Sequence, residues 1–343
     1  MNIGKNILYY RLQKGVSQQW LADAVNVSKM SISYFENGKR RPDVQMVKSI
    51  CNALGVSLGK FMAYNEGVVI ADSSFRKSDA LAAIQQDAIV SQVRFSAQRY
   101  YDACICANTA CDKNAFPCEK IDIPEDANEA ASYMRKALDL PVDGPIGNLT
   151  RILENKGVYI ILVAQSESGV STHKFSGYNG TSNKGFPIIA INEDMAYGRQ
   201  RFTLAHEFAH LLFKNATEEQ IDDAAGRFLL PSDDIVREIG SKRPLISYNE
   251  IKFVQDEYGV SGQCVVYRAQ QESIISRSVY LAIMRSGQYP QDSKDNKENP
   301  ARLEQIVCRA YTDNEISISK AAELLNIDVN DAAIICGAER GKK

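Results

Sequence analysis

The chain has 343 residues, 45% of them hydrophobic and 24% charged, and a formal net charge of −2. That length and balance suit two or three globular domains with real cores. No run approaches roughly 18 uninterrupted apolar residues, which excludes a membrane-spanning helix, and Met1-Asn2-Ile3-Gly4-Lys5 has no apolar run behind it, so no signal peptide is expected and the setting is read as cytoplasmic. The small net charge hides an asymmetry. Residues 1–64 carry nine Lys/Arg against three Asp/Glu, a net of +6, and the remainder carries −8. A basic module on an acidic body points to a polyanion partner for that module alone.

Residues 1–64 read as an all-α domain. Ile3, Ile7, Leu8 and Leu12 recur at helical spacing. Ser17 is placed to cap a second helix through Trp20, Leu21 and Ala24. After the turn Val25-Asn26-Val27, Ser28 caps a third helix, Lys29 to Glu36, which stops at Asn37-Gly38. Two further helices are predicted over 44–54 and 58–62. Two short helices joined by a tight turn make a helix-turn-helix. The run Ser17-Gln18-x-x-Leu21-Ala22, then Val27-Ser28-x-x-x-Ile32-Ser33-x-Phe35-Glu36-Asn37-Gly38 and Pro42, resembles the phage-repressor (Cro/C1, XRE-type) family. The resemblance implies double-stranded DNA as partner, with the third helix in the major groove. Ser28 would stand at its start, with Lys29, Met30, Ser31 and Tyr34 toward base edges and Gln18, Asn37, Lys39 and Arg40 on phosphates. Such modules usually bind as dimers; nothing else in the chain signals a homodimer.

Residues 65–78 read as a linker. A polar helical segment then runs to about Asn108, followed by a cysteine-containing loop, a helix from Glu125 to Leu140 ended by Pro141-Val142-Asp143-Gly144-Pro145, and a short helix from Asn148 to Asn155. Val158 to Val163 is a β-rich run. Lys174–Tyr178 and Phe186–Asn192 suggest two more strands, separated by the turn Asn179-Gly180. Of the eight cysteines, Cys51, Cys264, Cys308 and Cys336 are scattered and read as reduced thiols. Cys104, Cys106, Cys111 and Cys118 are clustered, but as C-x-C-x4-C-x6-C rather than paired C-x2-C; a sensor or metal site there is the alternative to ordinary thiols.

The segment Arg201-Phe202-Thr203-Leu204-Ala205-His206-Glu207-Phe208-Ala209-His210 contains H-E-x-x-H. On a helix, His206 and His210 stand one turn apart on one face and can hold a single metal ion, with Glu207 beside it as general base for a bound water. The surrounding apolar residues make a buried helix, where such polar groups are costly unless satisfied. Strands before such a helix fit a small zincin-like α+β fold. His173, the remaining histidine, lies on a predicted strand and is either an oxyanion stabiliser or a surface residue.

Four further runs carry a second resemblance: Pro145-Ile146-x-Asn148-Leu149, Pro187-Ile188-Ile189-x-Ile191-Asn192, Arg199-x-Arg201-Phe202-Thr203-Leu204-Ala205-His206-Glu207-x-Ala209-His210, and Phe228-Leu229-Leu230-Pro231. Over roughly 77–343 the chain resembles the ImmA/IrrE-type zinc metallopeptidases. That family supplies its third zinc ligand from a glutamate on the helix ending at the L-L-P run, which implies Glu218 here; Glu219 and Asp222 remain alternatives. The resemblance also implies a protein substrate, a repressor or other DNA-bound regulator. Beyond it, Gln288 to Pro300 reads as a mobile polar loop. Ile318 to Ile327 reads as a small helical unit vaguely like another helix-turn-helix, whose acidic surroundings argue against DNA. The expected fold is therefore mainly α with a small α+β zincin-like core. Its parts are the DNA-binding domain (1–64), the linker (65–78), a metallopeptidase core (79–240) and a C-terminal helical region (241–343). The expected function is a DNA-binding regulator fused to a zinc endopeptidase. The rival is a transcription factor whose metal domain senses a signal or partner without proteolysis.

Overall fold

The computed structural model describes residues 3–63, 67–77, 83–109, 119–164, 175–292 and 297–337. His173, Cys111 and Cys118 lie outside them; Cys104 is buried and Cys106 half-buried. Five helices come first: α1 (Ile3–Gln13), α2 (Gln18–Ala24), α3 (Lys29–Glu36), α4 (Val44–Leu54) and α5 (Leu58–Ala63). Side chains start three of them. Ser17 accepts from the Trp20 amide, Ser28 from Ser31 and Asp43 from Met46. Asn26, at φ +55, turns the chain between α2 and α3 in the left-handed region that asparagine tolerates. Ile7, Leu21, Ile32, Ile50 and Phe61 are fully buried in a core belonging to these helices alone. Inside it, Arg11 donates to both oxygens of Glu36 (2.5 and 3.1 Å) and the Gln18 amide donates to the same carboxylate (2.6 Å).

The rest of the chain wraps a four-stranded sheet. In order come β1 (Ile70–Lys77), α6 (Ala83–Cys106), β2 (Ile121–Asp122), α7 (Ala127–Ala137), α8 (Leu149–Asn155), β3 (Tyr159–Val163), β4 (Phe175–Ser182), β5 (Pro187–Asn192), α9 (Tyr197–Leu212), β6 (Phe213–Lys214), α10 (Glu218–Leu229) and α11 (Ser232–Ile239). Then follow α12 (Tyr248–Tyr258), α13 (Gly262–Gln271), α14 (Arg277–Ser286), α15 (Arg302–Thr312), α16 (Ile318–Leu325) and α17 (Val329–Ile335). The sheet order is β1-β4-β5-β3, antiparallel except for the parallel β3/β5 pair. Both faces are covered, which is why Tyr159-Ile160-Ile161-Leu162-Val163 and Pro187-Ile188-Ile189-Ala190-Ile191 read as unbroken apolar runs. Ile160, Ile189 and Ile191 join the core built by α7–α10 and α12–α14. Tyr159, Ile161, Ile188 and Ala190 join the one built by α6, α15 and α16. The architecture is mainly α with this small sheet at its centre.

Four sequence-level expectations need correction. Residues 65–78 are not only a connector: β1 pairs with the edge of β4, because tertiary partners satisfy a backbone that its serine-rich sequence would leave in water. Asn179-Gly180 is not a turn but the middle of β4. The reversal falls at 183–185, where Gly185 takes φ +91 and the Ser182 hydroxyl accepts from the Lys184 and Phe186 amides. The described C-terminal helices are continuous with the rest rather than set apart: α12–α14 complete one side of the sheet domain and α15–α16 the other. Finally, the polar loop after α14 is tied down in its described parts, for Asp292 and Glu298 both anchor the first half of α9.

Because Arg11 and Glu36 are nearly enclosed, removing one partner strands the other charge. Glu36→Ala is expected to cost the N-terminal module about 3 kcal/mol, read as a lower midpoint for its unfolding transition.

Candidate metal centre and DNA interface

The two halves of the candidate centre come from neighbouring antiparallel helices. α9 has no capping side chain of its own at Ala196. Asp292 substitutes from 94 residues away, accepting from the Gly198 amide (3.0 Å) and the Arg199 amide (3.1 Å), so a carboxylate sits at the positive helix end. Arg201, 1% exposed, fixes the helix sideways: it donates to the carbonyls of Gly147 (2.7 Å) and Ile146 (2.8 Å) and forms a buried ion pair with Glu298. Asn148 caps α8 in the same segment. The Ile146, Asn148 and Arg201 motifs thus belong to one bracket around α9. α10 opens with a capping box between Thr217 and Gln220, which puts Glu218 in its first turn.

His206 Nε2 and His210 Nε2 lie 3.1 Å apart, and the Glu218 carboxylate reaches them with different oxygens, Oε2 3.4 Å from His206 and Oε1 3.4 Å from His210. Ligands held at about 2.0–2.1 Å around a tetrahedral ion are separated by about 3.3–3.4 Å, and the nitrogen pair and each nitrogen–oxygen pair lie close to that spacing. Two imidazoles and a carboxylate are also a donor set that zinc takes, and the Glu218 side chain is exposed to solvent. Among the described residues these three form the cluster able to hold a metal. Glu219, the neighbouring alternative, is outside it. Asp222, the other alternative, accepts from the far ring nitrogen, His206 Nδ1, at 2.7 Å. That bond puts the ring proton on Nδ1 and leaves the Nε2 lone pair for the metal side.

Glu207 leaves α9 in another direction, toward the sheet. It is fully buried, and Asn179 Nδ2 donates to its Oε2 at 2.5 Å. At Gly177, two residues earlier on β4, any Cβ would collide with the Glu207 carboxylate, so glycine is what lets the acid lie against the strand. Neither Asn179 nor Gly177 stands out in the sequence, because the Asn-Gly pair reads as a turn. The signal is present in the alternation Gly177-x-Asn179, which puts both residues on one face of a strand.

The other predicted residues lie on the N-terminal module. Lys29, Met30, Tyr34, Asn37, Lys39 and Arg40 are exposed, and Ser31 is half-buried near the start of α3. Ser28 is engaged in capping, its hydroxyl also 2.9 Å from that of Ser31. The Lys39 ammonium lies over the Tyr34 ring (5.8 Å). Gln18 is half-buried, and its amide nitrogen is oriented by Glu36. Ser28 to Arg40 lie on α3, at its cap and in the turn that follows it, and Gln18 begins α2.

Zinc affinity, measured by competition with a chromophoric chelator, is expected to fall most for Glu218→Ala. It should fall about 10–100-fold for Asp222→Ala, which frees the His206 ring, and stay unchanged for Glu219→Ala.

Comparison with known families agrees with this layout. A helix-turn-helix model matches residues 7–61. The model of the IrrE N-terminal-like domain, a metallopeptidase-type family, matches residues 154–270, from the end of α8 through α13. No curated protein matches the chain. No helix among the described residues is long and apolar enough to cross a membrane. The chain therefore joins, in one polypeptide, the helix-turn-helix of DNA-binding regulators to an IrrE N-terminal-like, peptidase-type domain.

Proposed function

We propose that the protein is a DNA-binding regulator that cuts another protein, a zinc-dependent endopeptidase whose substrate is a repressor or similar DNA-bound factor. The observation that carries this reading is the convergence of Glu218 on His206 and His210, whose Nε2 atoms lie 3.1 Å apart and each 3.4 Å from an oxygen of its carboxylate, with Glu207 on the same helix as the two histidines. Zinc held by those three side chains would polarise the scissile carbonyl and bring a water's pKa toward neutrality. Glu207 is the base that takes the water's proton and returns it to the leaving amine. The Asn179 amide and the gap at Gly177 aim its carboxylate, and Asp222 keeps the His206 ring in the required tautomer.

The N-terminal module supplies the location. Lys29, Met30, Ser31 and Tyr34 would read base edges from α3, while Gln18, Asn37, Lys39 and Arg40 would meet phosphates. A protease held on DNA meets a substrate bound nearby at high effective concentration.

Purified full-length protein should bind one zinc per chain by elemental analysis, and His210→Ala should lose it. Glu207→Gln should keep the metal but lose activity. In cells, wild-type protein should generate new N-termini within DNA-binding regulators, read by terminal proteomics, and Glu207→Gln should generate none. Regulation that survives Glu207→Gln would instead establish the sensing rival. Deleting residues 1–64 should slow cleavage in cells; an unchanged rate would refute tethering.

On mixed-sequence duplex DNA, Lys39→Ala should lower the slope of log affinity against log salt by about 1, as expected when one fewer phosphate is neutralised.

A further inference from the structure

A groove leaves the candidate metal centre along the two helices that build it. On α9 the residues Gly198, Phe202, His206 and His210 follow one another at intervals of four; on α10 so do Glu218, Asp222 and Gly226. Spacing by four makes each set a single stripe, and the hydrogen bond between His206 and Asp222 shows that the stripes face each other. The metal donors occupy one end. The other end, from Phe202 to Gly198 and from Asp222 to Gly226, opens into a cavity of about 540 Å³ whose far walls come from α13 and α14. Its size falls within the roughly 300–1,000 Å³ of sites that enclose small organic groups.

The chemistry of the walls is aromatic. Phe202, Tyr267, Tyr280 and Met284 line the space. Of the charged residues that line it, Arg199 is exposed and the other three are engaged within the protein. Asp222 holds His206, Asp292 holds the amides of Gly198 and Arg199, and Arg268 donates to the Leu230 carbonyl (3.2 Å) and pairs with Glu272 (3.0 Å). Burial, followed by the nearby Asp223, pushes the Tyr267 phenol pKa up, so the ring stays neutral. An ionic guest would find few uncommitted countercharges here, and a large apolar one would find rings and a thioether.

Distance decides which part of a substrate enters. The Phe202 and His206 ring centres are 6.4 Å apart, and an extended peptide advances about 3.3 Å per residue. A side chain one or two residues from a bond held at the metal donors therefore reaches the cavity. Resting on the peptidase reading above, we infer that this cavity is the specificity pocket of the site. It selects a substrate with a large apolar side chain, aromatic or long aliphatic, one or two residues from the bond that is cut.

Two measurements test this separately from the peptidase reading. The first uses zinc-loaded full-length Glu207→Gln protein and a pair of dansyl-labelled hexapeptides, alanine throughout except for one central Phe or one central Asp, with binding read by fluorescence anisotropy. The Phe peptide is expected to bind at least about tenfold more tightly. Met284→Trp, which fills the cavity, and Tyr280→Ala, which enlarges it, should each bring that ratio below about threefold, with zinc content and thermal midpoint unchanged. Equal binding of the two peptides, or a preference indifferent to both variants, overturns the proposal. The second profiles cleavage by wild-type protein of a proteome-derived peptide library. Enrichment of large apolar residues within two positions of the cut, abolished in Met284→Trp, supports the pocket. Cleavage with no such enrichment refutes the pocket and leaves the peptidase standing. Selective Phe binding without any cleavage refutes the peptidase and leaves the pocket standing as an apolar-peptide site.

Discussion

Two imidazole nitrogens 3.1 Å apart, each 3.4 Å from an oxygen of one carboxylate on the neighbouring helix, are the constraint on which the centre of this protein depends. Two imidazole nitrogens and a carboxylate crowd together favourably only when their lone pairs converge on a cation or a shared proton. A cluster of that kind forms when the helices that carry it are over-determined from outside. Asp222 fixes one ring, the Thr217–Gln220 box fixes the start of α10, and Asp292 caps α9 from the far end of the domain. Each contact acts on helix position or ring orientation, so their effects reach the donors with little slack.

Buried guanidinium groups do much of the outside work. Arg135, Arg201 and Arg268 are each at most 2% exposed. Arg135 donates to the carbonyls of Phe228, Pro141 and Gly144, and Arg268 to that of Leu230. Together they satisfy the carbonyl end of α10, where the chain turns at Pro231 and cannot continue the helical ladder. Burial pulls both of these arginine pKa values down, with nearby carboxylates acting against it: Asp234 for Arg135, Glu272 for Arg268. Arg201 performs the same service beside α9 and adds the ion pair with Glu298. A hydrophobic residue would leave three carbonyls without these donors at Arg135, two at Arg201 and one at Arg268, a cost that packing alone does not offset.

The DNA-binding module meets the rest of the chain through α6. Tyr9 of α1 packs edge-on against Phe95 at 4.4 Å. One residue on, Ser96 shares a hydrogen bond of 2.7 Å with the hydroxyl of Tyr159 on β3. A single helix thus touches the basic module on one side and the sheet that positions Glu207 on the other. The C-terminal unit repeats the local design of the first: Ser317 and Asp328 cap α16 and α17, with Asn326 at φ +60 between them as Asn26 is between α2 and α3. Its buried side packs on α6, and its acidic composition separates it from the basic module in charge.

From the sequence alone came everything set by short-range periodicity. Capping residues and turns delimited the second and third helices, and the i, i+4 spacing of His206 and His210 announced a shared face before any fold was known. Glu218 came by resemblance to a family pattern, and the structure brings it to the two histidines where Glu219 is not brought. What stayed illegible was whatever depends on partners distant in the chain. Asn179 looked like a turn residue because the Asn-Gly signal is local, while the pairing of β4 with β1 and β5 is not. Asp222 had the right chemistry but an undecided role until His206 was seen to offer it the far nitrogen. Asp292 and Glu298 sat in a stretch that reads as loose, since nothing nearby in sequence shows that α9 lacks a cap and carries a buried arginine. Local sequence determines where a helix begins and which side chains share its face; only tertiary packing decides which distant groups complete its ends and its charges.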